Sequence, residues 1–155
     1  MTGPTVHVRR AVLEDLAAIE RIEQQSFSGD RLSRRSLRYL LTRARAVNLV
    51  GELAGRVVGY ITVLTRSGST SARVYSLAVD PEARGVRIGA RLLEAAERSV
   101  LALGLDRMRL EVRADNGAAI HRYHEAGYTQ FGCEPGYYED GETALKFAKS
   151  LRADR

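Results

Sequence analysis

The sequence predicts an α/β protein in which a mixed sheet is flanked by helices. Apolar residues follow helical spacing in four segments, and alternating or β-branched runs mark seven strands. The predicted order is β-α-α-β-β-β-α-β-α-β-β, which interleaves the two kinds of element. The chain has 155 residues, of which 45% are hydrophobic and 28% are charged, as in globular proteins with a substantial core. No repeat or linker divides it, so we expect one domain over residues 1–155.

The N-terminal part is predicted to contain a strand, two helices and a hairpin, over residues 5–10, 13–25, 33–45, 47–53 and 56–65. The first helix has a face on which four residues recur at helical spacing: Leu16, Ile19, Ile22 and Glu23. Ser33 is the expected N-cap of the second helix. Ala54-Gly55 is the expected turn of the hairpin.

The rest of the chain is predicted to alternate strands and helices. Strand 73–79 leads to a helix over 87–103, which ends at Gly104. The buried face of this helix is expected to consist of Ile88, Leu92, Leu93 and Ala96. The later elements are strand 107–113, a helix from Asp115 or Asn116 to Glu125, and strands 128–131 and 144–147. From Lys149 onward we expect a charged, frayed tail.

Charge and hydropathy narrow the classes of partner. The formal net charge of +5 suits an anionic ligand or an acidic partner such as RNA or the ribosome. The basic residues are mostly arginines spread along helices, without an aromatic RNA-binding signature or zinc finger, so no direct contact with nucleic acid is expected. No apolar run approaches the roughly 18 residues of a membrane span. The N-terminus lacks the apolar core of a signal peptide, so we expect a cytoplasmic protein.

Cysteine and histidine offer little chemistry. Cys133 is the only cysteine, which excludes a disulfide within the chain. No basic partner lies near it in sequence, so a small buried or half-buried residue is favoured over a nucleophile. The three histidines, His7, His121 and His124, lack the spacing of zinc ligands, and no metal is expected.

One stretch points to a phosphate-bearing ligand. Strand 73–79 is followed by the loop Arg84-Gly-Val-Arg-Ile-Gly-Ala90, and a helix begins near Arg87. The free N–H groups at the start of a helix favour an anion. The loop matches neither the P-loop nor the dinucleotide-binding glycine pattern. A purely structural glycine turn remains the alternative from this segment alone.

A second stretch runs from Leu110 to Tyr128. Glu111 points away from its apolar strand neighbours, and Asn116 heads the next helix. Tyr123 shares a helix face with Ala119 and Ile120. Without further context, a surface role for Glu111 and a core role for Tyr123 would be the default.

Together, these two stretches resemble motifs A and B of the GNAT superfamily of acetyl-CoA-dependent N-acetyltransferases. Arg84 and Gly89 hold the outer positions of the family's loop pattern. The second stretch is most similar to the RimI-type N-terminal acetyltransferases of ribosomal proteins, through Leu110-Glu-Val-Arg, Asn116, Tyr123 and Gly127-Tyr128. The resemblance implies a mostly antiparallel sheet of six to seven strands, flanked by about four helices and split between the fourth and fifth strands.

The resemblance also implies a mechanism. An amine attacks the thioester of acetyl-CoA directly in a ternary complex, with Glu111 as the general base through a water and Tyr123 as the acid. The backbone around Leu77 and Val79 would hold the pantetheine arm and polarise the thioester carbonyl. The other residues implied to bind the donor are Arg84, Arg87, Ile88, Gly89, Ala90, Arg91, Leu92 and Asn116.

The expected acceptor is the α-amine of a peptide or protein N-terminus, with ribosomal proteins among the candidates. An α-amine has a pKa of about 7.7–8.0 and lysine about 10.4, so freeing a lysine at neutral pH costs roughly 3 kcal/mol more. In RimI-type enzymes the peptide entrance is lined by positions that correspond to Phe27, Asp30, Arg31, Tyr137 and Tyr138. An acetyltransferase of small amines or lysine and a non-catalytic acyl-CoA-binding module are the alternatives. The sequence leaves open whether the protein is a monomer or a homodimer.

One position departs from the family's loop. Arg87 replaces the central glycine, where a side chain could crowd the pyrophosphate. Its guanidinium could instead point outward and pair with a phosphate. We expect binding to be retained, since the contacts required of this turn are made by backbone N–H groups.

Overall fold

Seven strands form one sheet in the computed structural model, which describes residues 5–26, 33–43, 45–83 and 87–152. The strands are β1 (Val6–Arg10), β2 (Ala46–Leu53), β3 (Arg56–Leu64), β4 (Ser71–Val79), β5 (Arg107–Arg113), β6 (Thr129–Glu134) and β7 (Ala144–Ser150). Their spatial order is β1-β2-β3-β4-β5-β7-β6. Every neighbouring pair is antiparallel except β4 and β5, which are parallel. The predicted mixed, mostly antiparallel sheet is confirmed.

Four α-helices flank the sheet within the described ranges: α1 (Leu16–Ser26), α2 (Arg34–Thr42), α3 (Ile88–Ala102) and α4 (Gly117–Glu125). Short 3₁₀ turns precede α1 and α3. The second helix is shorter than predicted and begins, as expected, after Ser33, whose hydroxyl accepts from the Ser36 amide. None of these helices has the length and apolar character needed to cross a membrane.

The helices cover opposite faces of the sheet. On one face, α1 and α2 pack on β2 to β4 through Leu16, Ile19, Ile22, Leu37, Val50, Tyr60 and Ala78. The predicted face of α1 is confirmed, including Glu23, whose buried carboxylate accepts a hydrogen bond from the Tyr60 hydroxyl. On the other face, all four residues predicted for the buried side of α3 are in the larger core. That core also contains Ala119 and Tyr123 of α4.

Two glycines let α3 approach the sheet closely. Gly51 of β2 and Gly59 of β3 lie directly opposite each other in the register. A Cβ added at Gly59 would lie 3.0 Å from Ile88 Cγ2 and 3.1 Å from Leu92 Cδ1. The first two turns of α3 therefore rest on a patch without side chains, which sets the position of the helix N-terminus.

The parallel strands β4 and β5 separate after a short paired stretch. Their register runs only from Ser71 opposite Arg107 to Arg73 opposite Arg109. Just beyond, Val63 of β3 pairs with Val74 and Thr62 pairs with Ser76, so Tyr75 is an extra residue in β4. Such a bulge bends and twists its strand. The predicted split between the fourth and fifth strands is confirmed.

Two expectations for the C-terminal part are wrong. Lys149 lies in β7 rather than in a frayed tail, and its ammonium is 3.0 Å from a carboxylate oxygen of Glu97 on α3. Cys133 is exposed rather than buried. The reason is that β6 is the edge strand of the sheet, and five of its six residues are exposed.

The close approach of α3 predicts a specific sensitivity to a small substitution. Gly59→Ala should lower the free energy of unfolding by about 1–3 kcal/mol, because the added methyl overpacks a well-filled contact. Urea denaturation measures the change. Gly117→Ala is the control, since a Cβ there meets no atom within 4 Å. Equal stability of both variants would contradict this account of the contact between helix and sheet.

Candidate active site

The separation of β4 from β5 leaves backbone groups of β4 unpaired. The Asp80 amide donates to the Val58 carbonyl, and Ala78 is opposite Tyr60 in the same ladder. Because hydrogen-bonding direction alternates along an antiparallel strand, Leu77 and Val79 direct their N–H and C=O groups away from β3. These groups face the opening between the strands, at the positions singled out in the sequence.

Glu111 of β5 lies at this opening on the face of the sheet shared with α1 and α2. Its side chain is 11% exposed, and its Oε1 accepts a 2.8 Å hydrogen bond from Nε of Arg73. Nη1 of Arg109 is 3.5 Å from its Oε2. The hydrogen bond from Arg73 therefore orients this carboxylate, and Arg109 adds a second positive charge beside it.

Arg73 connects Glu111 to the predicted acceptor side. Its Nη2 donates to the Tyr137 hydroxyl at 3.0 Å, and its guanidinium lies 5.7 Å from the ring centroid of Tyr75. Burial lowers the pKa of Arg73, but the hydrogen bond and charge of Glu111 more than compensate, so the pKa is raised. Sequence reasoning missed Arg73. In strand 73–79 the side chains alternate between the two faces of the sheet, so Arg73 lies on the face that Val74 does not occupy. That alternation is the sequence signal that could have identified Arg73.

Tyr123 lies in the larger core, on the opposite face of the sheet. It is 7% exposed, and its ring packs edge-on against Tyr128 with centroids 5.8 Å apart. Burial raises the pKa of its hydroxyl, while the nearby charge of Arg122 opposes part of that rise. The hydroxyl therefore stays protonated across the physiological range. Glu111 and Tyr123 therefore lie on opposite sides of the sheet.

The N-terminus of α3 adds unpaired N–H groups. Arg87 caps the helix in a left-handed conformation with φ of 59° and ψ of 31°, and its side chain makes no capping hydrogen bond. Ile88, Gly89 and Leu92 are buried, Ala90 is half-buried and Arg91 is exposed. The first N–H groups of a helix lack acceptors within the helix, so this end can bind an anion. Arg84 lies outside the described residues.

Arg122 is a second residue that the sequence reasoning did not identify. A Cβ built on Gly89 would lie 3.5 Å from its Nε and 3.7 Å from its Cζ. The guanidinium of α4 thus lies beside the first turn of α3. It adds positive charge where the helix end already favours an anion.

Asn116 has a structural task at the start of α4. Its Oδ1 accepts from the Ala119 amide at 3.1 Å, which makes Asn116 rather than Asp115 the N-cap. The side-chain oxygen is therefore engaged, and the side-chain NH₂ group is the part left for a ligand.

Two of the five predicted acceptor residues lie together. The rings of Tyr137 and Tyr138 meet edge-on, with centroids 5.0 Å apart, and the Arg113 guanidinium lies 5.0 Å from the Tyr138 centroid. The hydrogen bond from Arg73 places Tyr137 on the Glu111 side of the sheet. Phe27, Asp30 and Arg31 lie outside the described residues. In the described part of the chain, no three His, Cys, Asp or Glu side chains cluster as metal ligands would.

Residues 13–128 match the acetyltransferase (GNAT) family, and the chain belongs to that family. It is therefore an N-acetyltransferase. A Bacillus subtilis relative, a putative [ribosomal protein bS18]-alanine N-acetyltransferase, is 32% identical over 139 residues, which cover 89% of this chain and 91% of the relative.

Two solved structures have the same fold over nearly their full lengths. The ribosomal-protein-S18-alanine N-acetyltransferase from Escherichia coli superimposes with a TM-score of 0.86 at 25% identity, covering 97% of each chain. Ard1 from Thermoplasma volcanium gives a TM-score of 0.86 at 27% identity, covering 96% of this chain and 99% of Ard1.

Two substitutions at Asn116 should separate capping from ligand binding. Asn116→Ala should lower the free energy of unfolding by about 1 kcal/mol, because the helix loses its cap. Asn116→Asp should keep the cap but weaken acetyl-CoA binding, because it removes the NH₂ donor and adds negative charge. Urea denaturation and calorimetric titration measure the two effects. Unchanged acetyl-CoA affinity in Asn116→Asp would limit this residue to its structural role.

Proposed function

We propose that the protein transfers the acetyl group of acetyl-CoA to the α-amine at the N-terminus of a peptide or protein. The observation that carries this proposal is the full-length likeness to enzymes named for acetylating the alanine of ribosomal protein S18. The arrangement of Glu111, Arg73 and Tyr137 beside the opening supports it. A ribosomal protein is accordingly one acceptor to test.

The donor side would use backbone groups. Acetyl-CoA, when bound, supplies a thioester whose acyl carbon is electrophilic. The N–H groups of Leu77 and Val79 face the opening and can donate to a carbonyl oxygen there, which favours developing negative charge. The turn and first residues of α3 would hold the pyrophosphate: Arg84, Arg87, Ile88, Gly89, Ala90, Arg91 and Leu92.

Glu111 would act as the general base. An α-ammonium must lose a proton before its nitrogen can attack, and an ionised carboxylate held at the opening can accept that proton through a water. Arg73 and Arg109 lie beside this carboxylate, and the hydrogen bond from Arg73 orients it. A carboxylate that acts through a water suits an α-amine, which needs roughly 3 kcal/mol less than lysine to become neutral at pH 7.

Tyr123 would protonate the departing thiolate. Its O–H remains protonated because burial raises its pKa. A thiol has a pKa of about 8.5 and an unperturbed tyrosine about 10, so the transfer has little intrinsic driving force. Its benefit is that no free thiolate is left in a site with little access to water.

Two isosteric substitutions test these roles. Glu111→Gln and Tyr123→Phe should each lower kcat by about 10²- to 10⁴-fold, because each removes one proton-transfer group. The assay follows thiol release with acetyl-CoA and a panel of N-terminal peptides, including one from the N-terminus of ribosomal protein S18. Glu125→Gln and Tyr39→Phe, at exposed positions, are the matched controls.

Unchanged turnover in both site variants would refute the assigned roles. Turnover of small amines or lysine side chains in the absence of any peptide acetylation would refute the proposed acceptor.

A further substitution tests the departure in the loop. Glycine adopts the left-handed conformation of residue 87 without strain, so Arg87→Gly should raise the free energy of unfolding by less than about 1 kcal/mol. Acetyl-CoA affinity should fall by about 3- to 10-fold, because an exposed guanidinium beside a phosphate is lost. Calorimetric titration with acetyl-CoA decides the matter. Tighter binding would mean that Arg87 crowds the site.

A further inference from the structure

Among the described residues, more positive charge lies beside Glu111 than one carboxylate neutralises. Arg73 and Arg109 both lie beside Glu111, at 2.8 Å and 3.5 Å. Lys146 is directly across from Glu111 on β7, but its ammonium pairs with Glu134 at 3.3 Å. Arg113, two residues along β5, is held by Asp115 and Asp140. The local surplus therefore belongs to the pair Arg73 and Arg109.

Of these two arginines, Arg109 has the donors to spare. Arg73 already donates to Glu111 and to Tyr137. The Arg109 side chain is 38% exposed, and at 3.5 Å its contact with Glu111 is longer than an ordinary hydrogen bond. Within the described ranges, its guanidinium donates no hydrogen bond. A guanidinium has five N–H donors arranged to match a carboxylate.

This surplus of positive charge favours some acceptor peptides over others. Every N-terminal acceptor arrives as a cation, because an α-ammonium has a pKa of about 7.7–8.0. The two arginines repel it, and a basic side chain next to the amine adds to that repulsion. A carboxylate close to the amine has the opposite effect, since it can pair with Arg109 while Arg73 keeps Glu111 in place.

We infer that the preferred acceptor is a peptide N-terminus with a carboxylate side chain in its first two residues, and that Arg109 recognises that carboxylate. The inference rests on the proposed function and adds the acceptor class. Arg109 is then a specificity-determining residue, while Arg73 positions Glu111 and Tyr137.

A peptide set with matched lengths tests the inference. Three peptides begin Ala-Glu, Ala-Gln or Ala-Lys, two more begin with Glu or Gln, and all five share the remaining residues. Acetylation of the α-amine is followed by mass spectrometry, and kcat/KM is determined for each peptide. For at least one matched Glu and Gln pair, we expect the Glu peptide to be favoured by about 10-fold or more. Ala-Lys should be the poorest acceptor, and the Glu preference should shrink as salt is added.

Variants assign the preference to Arg109. Arg109→Gln should bring the Glu and Gln peptides to within about 3-fold of each other, mainly by raising KM for the acidic peptide. Arg109→Lys retains the positive charge but loses the paired N–H donors of the guanidinium. It should therefore keep part of the preference for the Glu peptide. Arg98→Gln on α3, across the sheet, removes an equal charge from an exposed position and should leave the preference intact. Thermal unfolding checks that each variant is folded.

The outcomes separate the two proposals. If no peptide is acetylated, the proposed function fails. If peptides are acetylated but Glu and Gln are equivalent, or Lys is preferred, the inferred acceptor class is wrong and the proposed function stands. If Arg109→Gln lowers kcat/KM for all peptides by the same factor, Arg109 does not recognise the acidic side chain, and the inference is overturned.

Discussion

The failure of β4 and β5 to stay paired is the constraint on which the rest of the site depends. Only three residue pairs join the two strands, and the bulge at Tyr75 turns β4 away just beyond them. An edge strand normally presents unpaired backbone groups to solvent. Here they lie within the sheet, with Glu111 on the neighbouring strand and the N-terminus of α3 following β4. Sheet geometry therefore places the outward N–H groups of Leu77 and Val79 between a carboxylate and a helix N-terminus that can bind an anion.

The side chains around Glu111 fix its position. A general base must be held within reach of the proton that it takes up, and the hydrogen bond from Arg73 orients this carboxylate at the opening. Arg109 adds a second guanidinium group beside it. Because both guanidinium groups are positively charged, the charge of the acceptor peptide affects how well it binds.

Local patterns accounted for most elements, and long-range contacts accounted for the errors. The faces of α1 and α3 could be predicted because helical spacing groups residues that must be buried together. Glu111, Asn116 and Tyr123 could be proposed as site residues because the motifs that contain them lie in continuous stretches. Arg73 and Arg122 were missed, since their importance comes from neighbours 38 and 33 residues away in the chain. Whether Cys133 is exposed and whether Lys149 belongs to a strand depend on which strand forms the edge of the sheet. No local sequence pattern encodes that choice.

The sequence by itself determined the types and order of the elements, the buried faces of α1 and α3 and the motifs that point to an acetyltransferase. These follow from periodicity and residue chemistry, which act within a few turns or strands. The tertiary structure alone decided that Glu111 lies beside two arginines and that Tyr123 is buried on the opposite face of the sheet. Those features depend on side chains brought together across the sheet, where distance and burial set the strength of each interaction.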